Sequence, residues 1–368
     1  MSSVKRDVSG AWRARWRDPS GQSRSRNFER KAEAERFLTT VEGSKLFGAY
    51  VDPSAGRVLF GDYATSWAAA QIHSRATTAR VASLLDLHVL PFLGARPLAA
   101  IRPSELQAWI RGRSDVLEPA TVSLVYRYTV AILRAAVADR LLGESPARGI
   151  KLPRSEPRHV VPLETEIVEA LIAAVPDRYR ALVVLAAGTG LRQGEAFGLT
   201  TDRVDFLRRT LTVDRQLVAM PRCVPVMAAP KSSASRRTVP LPTVVTEALA
   251  AHLARYPAGP GELIFTTGEG QPIRRVTFGN VWRIAVAKAG APAGTGFHAL
   301  RHYYASLLIR HGESVKVVQV RLGHASARET LDTYSHLWPD SEDQTRAAVD
   351  SVLGAAVSDP CQTATVPS

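Results

Sequence analysis

Two short breaks divide this chain into pieces that must each fold around a separate core. Residues 48–57 gather Gly48, Pro53, Ser54 and Gly56, and residues 150–162 gather Pro153, Pro157 and Pro162 among Lys151, Arg154 and Arg158. Glycine adds backbone freedom, while proline withholds a donor and biases its predecessor away from helix, so both runs read as linkers. The 368 residues therefore separate into segments 1–48, 58–154 and 160–353, with a polar, disordered tail expected over 354–368. A hydrophobic share of 45% is enough to give these segments real cores.

In residues 1–31 nine lysines or arginines stand against three acids. Trp12, Ala14 and Trp16 alternate with Arg13, Arg15 and Arg17, the period of a strand with one aromatic and one cationic face. Asp18-Pro-Ser-Gly21 reads as a turn, and Arg24, Ser25, Arg26 and Phe28 as a second strand. Ala34, Phe37, Leu38 and Val41 follow at helical spacing. A basic ribbon backed by a helix fits the major groove of DNA, which makes Arg13, Arg15, Arg17, Arg24 and Arg26 candidate DNA contacts. A solvated charged hairpin carries the same pattern.

The second segment reads as all helix: 60–72, 78–89, a stretch opened by Pro103, and 119–142 with Val122, Val125, Thr129, Ile132 and Leu133 on one stripe. Arg75, Arg80, Arg111, Arg113, Arg127 and Arg134 are singly ordinary surface charges and together a possible DNA-facing side. The formal charge of the whole chain is +13, which points to a polyanionic partner. Cys223 and Cys361 are too far apart in sequence to indicate a disulfide framework or a cysteine-rich metal site. No signal pattern or membrane-length apolar run is evident, so the expectation is a cytoplasmic protein with no membrane partner and no cofactor.

The third segment carries the chemistry. His298 and Arg301 are three residues apart in a segment of helical character, so both project from one face. Gly323 ends an apolar run and His324 follows in the turn. Ser326 and Glu329 have capping-box spacing at the start of a helix bearing Tyr334. This set offers donors for phosphate oxygens, a proton-transfer group and a hydroxyl nucleophile. Upstream, Arg192 and Glu195 repeat the i, i+3 spacing, which a plain surface salt bridge also explains. Lys231 lies in a turn before a strand that begins near Arg236. Lysine is scarce in this chain, and unlike arginine it can give up a proton near phosphate.

These pieces together resemble the tyrosine recombinase family of phage and transposon integrases. The matching motifs are Thr-Gly-Leu-Arg192-x-x-Glu195, Pro-Lys231-Ser with Arg-Arg-Thr-Val-Pro-Leu after it, His298-x-x-Arg301, Leu-Gly-His324 and Tyr334, in the family's order over about residues 58–340. The first segment is similar to the arm-type DNA-binding module of lambda-like integrases. The implied fold is multidomain and mainly α with small β-sheets. Residues 1–48 would be an arm-binding sheet plus helix, 58–154 a helical SAM-like core-binding domain, and 160–353 a mixed α+β catalytic domain.

The resemblance implies a site-specific DNA recombinase that cleaves and rejoins DNA through a 3′-phosphotyrosine, integrating and possibly excising a phage or mobile element. Arg192 and Arg301 would fork onto the non-bridging oxygens of the phosphate, with Glu195 orienting them. Tyr334 would attack, with His298 as its base, Lys231 as the acid for the leaving 5′-oxygen, and His324 donating to the phosphate. Arg80 and Arg236 would add DNA contacts. Partners would be double-stranded DNA at core and arm-type att sites, three further copies in a homotetramer, and a DNA-bending accessory protein or excisionase. Tyr304 is the rival nucleophile, and His302, His311 and His336 read as surface or secondary contacts. A type IB topoisomerase, a chromosome-dimer resolvase and a non-catalytic DNA-binding regulator share parts of the pattern.

Overall fold

The computed structural model describes residues 2–19, 21–46, 50, 52, 55–154, 160–219, 224–230, 232–338 and 342–357. The chain forms two compact units, Met1–Pro157 and Arg158–Ser368.

The first unit holds two separate cores. Strands β1 (Ser3–Arg6), β2 (Trp12–Arg17) and β3 (Ser23–Phe28) form an antiparallel sheet in that order, packed on helix α1 (Lys31–Leu46). The strand β1 has no alternating apolar pattern and is invisible in the sequence. It exists because it completes the ladder of β2, with Lys5 opposite Arg13 and Ser3 opposite Arg15. Trp12, Ala14 and Trp16 do face the helix, and Trp16 meets Phe37 edge-on with ring centroids 5.2 Å apart. Buried Trp16 Nε1 donates to Tyr50 Oη at 2.7 Å, which satisfies its polar end.

Helices α2 (Phe60–Ala70), α3 (Arg75–Leu84), α4 (Leu90–Leu93), α5 (Pro103–Ser114) and α6 (Pro119–Ala138) enclose the other core of this unit, around Phe60, Leu93, Leu106, Ile110, Ile132 and Leu133. Between α3 and α4 the chain makes a π-helical turn over Leu85–Val89, in which Leu90 N–H reaches back to Leu85 O. Pro91, at the start of α4, brings no donor of its own, and the widened turn accommodates it. The helix expected to reach 142 stops at Ala138. There Arg140 adopts φ +58° and Leu141 N–H folds back to Ala136 O at 2.9 Å. By length and hydropathy α6 also meets the test for a membrane span, but it carries Arg127 and Arg134, and its apolar stripe is the core of this bundle.

The second unit opens with α7 (Thr165–Ala174), α8 (Asp177–Thr189) and the short α9 (Gln193–Phe197). Strands β4 (Val204–Asp205), β5 (Thr210–Val213) and β8 (Arg237–Pro240) make one antiparallel sheet, and β6 (Gln216–Val218) pairs with β7 (Val226–Ala228). Helices α10 (Thr243–Arg255) and α11 (Arg275–Lys288) follow. Phe197, Phe278, Trp282 and Phe297 meet mostly edge-to-face at 5.1 to 6.2 Å, a rigid wall under α12 (Ala299–Arg310). Then come α13 (Val315–Leu322), α14 (Ala327–Tyr334) and α15 (Glu342–Val357). The last of these continues past Leu353 into the stretch expected to be tail.

Candidate active site

Two left-handed glycines set the frame. Gly190 (φ +63°) ends α8 and Gly323 (φ +67°) ends α13, the conformation that glycine adopts without a Cβ penalty. Each turn leaves carbonyls unpaired within its helix, and arginine side chains take them up. Arg301, only 2% exposed, donates to Gly190 O at 2.8 Å and Leu322 O at 2.7 Å. Arg192 donates to Gly323 O at 3.1 Å. Two of the expected cations thus tie together segments far apart in sequence.

Glu195, 4% exposed, joins a third. It accepts from Arg192 Nη1 at 3.0 Å and from the Arg192 backbone N–H at 2.9 Å. It also accepts a fork from Arg237, at 3.2 and 2.9 Å. Burial pushes its carboxyl up, yet the hydrogen bond and charge of Arg237 and the N–H and charge of Arg192 hold it below the usual range. The sequence reading named Arg236 as a DNA contact and missed Arg237. The structure leaves Arg236 exposed, because on β8 the inward positions are Arg237 and Val239, opposite Val213 and Leu211. Counting parity back from Val239 would have found it. Arg236 keeps only the exposed position expected of a DNA contact.

Tyr334, 1% exposed, comes from α14 to the same place. Its ring lies parallel to His324, centroids 6.4 Å apart at 11°. Its hydroxyl is 2.8 Å from His302 Nδ1. The expected base, His298, instead meets His302 edge-on at 4.8 Å. His302 was expected to be peripheral, although its i+4 spacing from His298 already put both rings on one helix face. His324 Nδ1 is 2.8 Å from Thr330 Oγ1. The capping box forms by half: Glu329 N–H donates to Ser326 Oγ at 3.4 Å, but the Glu329 carboxylate takes Ala325 N–H instead of that of Ser326. Tyr304, the rival, is buried and packs in the cluster with Ile309, Val318 and Leu322. Lys231 lies outside the described residues.

The pocket has three guanidinium groups, of Arg192, Arg237 and Arg301, against the single buried carboxylate of Glu195. Burial shifts each titrating group there first, and that excess of positive charge adds to the shift of the imidazoles and of Arg301. Burial, then Arg301, Arg192 and Arg237, push His324 down to about 3. Burial and the charges of Arg192 and Arg237 bring Arg301 down to about 9. Desolvation, His302, Arg301, Arg192 and Arg275 lower His298 as well, although its outer edge stays open to water. Tyr334 is raised to about 12, by burial first, with Arg301 pulling the other way. The site therefore has neutral imidazoles, a protonated phenol and unbalanced positive charge, which suits a phosphate ester. Among the described residues no group of three or more His, Cys, Asp or Glu is placed to hold a metal.

Of the other expected contacts, Arg15 and Arg17 are exposed on the outer face of the N-terminal sheet. Arg13, also on that face, is held by Asp7 and by Asn27 Oδ1 at 3.0 Å. Arg24 and Arg26 are on the opposite face, since Trp16 pairs with Arg24 and Ala14 with Arg26. Arg24 bonds Asp18 and Asp52 at 3.2 and 2.9 Å. The Arg26 guanidinium lies 5.2 and 5.3 Å from the Phe28 and Phe37 rings. These two arginines are fixed to the module's own core side, because strand alternation sends them where the aromatic residues point. Arg80 is exposed on α3.

The sequence profile described as the Phage integrase family matches residues 162–340, and that of the Phage integrase central domain matches 60–152. The integrase of Mycobacterium phage FRAT1 is 28% identical over 306 residues, covering 82% of this chain and 90% of its own length. The fold is similar to that of the Tn1549 transposon integrase in complex with circular intermediate DNA, with a TM-score of 0.68 and 22% identity over 80% of this chain and all of the other. It is also similar to a lambda integrase dimer bound to a COC' core site, with a TM-score of 0.60 and 19% identity over 92% of this chain and 96% of the other. The two profiles leave out only the N-terminal sheet and helix, the joint between the units and the C-terminal stretch. The chain belongs to the phage integrase family, the tyrosine recombinases, and is a site-specific DNA recombinase.

Proposed function

We propose that Tyr334 is the nucleophile of this recombinase and that Arg192 and Arg301 bind the scissile phosphate. The observation that carries this reading is the convergence of Tyr334, His324, Arg192 and Arg301 on two helix ends fixed by Gly190 and Gly323. Attack on a phosphodiester builds negative charge on its non-bridging oxygens, and fixed guanidinium donors in a water-poor pocket stabilise that charge most. His324 adds a donor to the phosphate. Glu195 acts through the arginines, with Arg237 as its counter-charge. Lys231 would give its proton to the leaving 5′-oxygen. The product is a 3′-phosphotyrosine, whose conserved ester energy lets another 5′-hydroxyl reseal the strand without a cofactor.

Residues 58–154 and 160–353 would each contact core-site DNA, and residues 1–48 would bind arm-type DNA through the face of Lys5, Arg13, Arg15 and Arg17. Strand exchange would use four copies, as in the lambda integrase tetramer bound to a Holliday junction, in the cytoplasm and with a DNA-bending accessory protein or excisionase. The test is a nicked suicide substrate carrying the core site. Wild type should form a covalent protein–DNA adduct, and Tyr334→Phe should bind the DNA without forming one. An adduct in Tyr334→Phe, or cleaved DNA with no protein attached at any stage, would refute the assignment.

A further inference from the structure

We infer that His302, and not His298, takes the proton of the Tyr334 hydroxyl during strand cleavage and returns it on rejoining. This rests on Tyr334 being the nucleophile. A general base must be within hydrogen-bond reach of the proton it removes, and the imidazole nitrogen in reach is His302 Nδ1, at 2.8 Å. His298 contacts the ring of His302 instead. With Nε2 carrying the ring proton, Nδ1 presents its lone pair to the phenol. Arg301 and His302 are consecutive on α12, so one rigid turn carries both a phosphate-binding cation and the proton acceptor.

The environment agrees with this role. Burial and the charge of Arg301 lower His302, which keeps it neutral and able to accept at neutral pH. The titratable and charged groups around it are His298 and Arg301 on its own helix, His324 from the turn after α13 and Tyr334 from α14. The phenol is raised to about 12, so it cannot ionise in advance and must hand over its proton as it attacks. The Tyr334 Oη–phosphorus bond forms, the bond from phosphorus to the 5′-oxygen breaks, and the phenol proton moves to Nδ1. The 5′-oxygen takes its proton from the acid proposed at Lys231. On rejoining, the 5′-hydroxyl displaces the tyrosine, which recovers the proton from His302.

Asparagine can accept the same hydrogen bond but cannot hold the proton, so His302→Asn separates positioning from proton transfer. In single-turnover cleavage of the suicide substrate it should be about 100-fold slower than wild type, with DNA binding unchanged by gel shift. Wild type should lose rate on acidification only below the ordinary histidine range, because burial and Arg301 lower His302, and His302→Asn should lack that limb. Replacing Tyr334 by a fluorinated tyrosine, whose phenol is more acidic, should restore much of the rate to His302→Asn. Because rescue reports chemistry and not folding, it holds even if the variant is less stable. A wild-type rate and pH profile in His302→Asn, or a slow variant that fluorotyrosine leaves slow, would overturn the inference. If wild type itself formed no adduct, the assignment of Tyr334 would fail first.

Discussion

Arg237 gives both terminal nitrogens to the Glu195 carboxylate, at 3.2 and 2.9 Å, where neither side chain is more than 3% exposed. Removing one partner of such a pair leaves a charge in a place where water cannot reach it. Glu195→Ala should therefore lose about 3–5 kcal/mol of stability in urea unfolding. Arg237→Lys should also be strongly destabilised, because an ammonium cannot make the fork or keep the bonds to Arg321 O and Ser235 O. A loss below about 1 kcal/mol, the size of an exposed pair, would show that the pair is not holding the site together.

The glycines make a graded test. A Cβ at Gly323 would stand 2.9 Å from Arg237 Nη1 and 3.1 Å from Ala234 O, and one at Gly190 would run into the Tyr304 ring. Gly312 has the same sign of φ, +79°, with open space around it. Gly312→Ala should cost only backbone strain, about 1–2 kcal/mol. Gly323→Ala and Gly190→Ala should cost visibly more by thermal melting and should slow DNA cleavage, since both turns position arginines. Equal costs at all three sites would mean that packing around the turns is irrelevant.

Acid should loosen the second unit through His324. Its folded value, about 3, is below the ordinary 6.5, so between these two pH values the unfolded chain binds a proton that the folded chain refuses. Stability is full above pH 6.5 and falls as pH drops toward 3, by about 1.4 kcal/mol per pH unit for one such group. His324→Gln should flatten that slope in denaturation curves measured from pH 7 to pH 4. An unchanged slope would mean that His324 protonates as easily folded as unfolded.

On the N-terminal sheet the two faces should behave differently. Arg15→Ala and Arg17→Ala should weaken binding of arm-type DNA and lower the salt slope by about 0.9 for each phosphate no longer neutralised. Arg24→Ala should instead loosen the module, because that side chain joins Asp18 and Asp52. A reduced DNA salt slope in Arg24→Ala, with stability intact, would reverse this division of the faces.

Local pattern alone supplied much of this protein. The alternation of Trp12, Ala14 and Trp16, the stripe on α6, and the helix end at Gly323 are legible because helical and strand periodicity show in neighbouring residues. The ordered motifs around Arg192, His298, Arg301, His324 and Tyr334 were legible too, since their chemistry depends on residue type. Contacts that depend on how distant elements pack were not. That the inward Arg237 meets the Glu195 carboxylate depends on how β8 lies against α9. Which imidazole meets the phenol depends on how α12 lies against α14. The strand β1 exists only because β2 offers it a ladder. Sequence spacing fixes directions along one element, but a few ångströms between elements decide hydrogen bonds, and only the packed chain sets those distances.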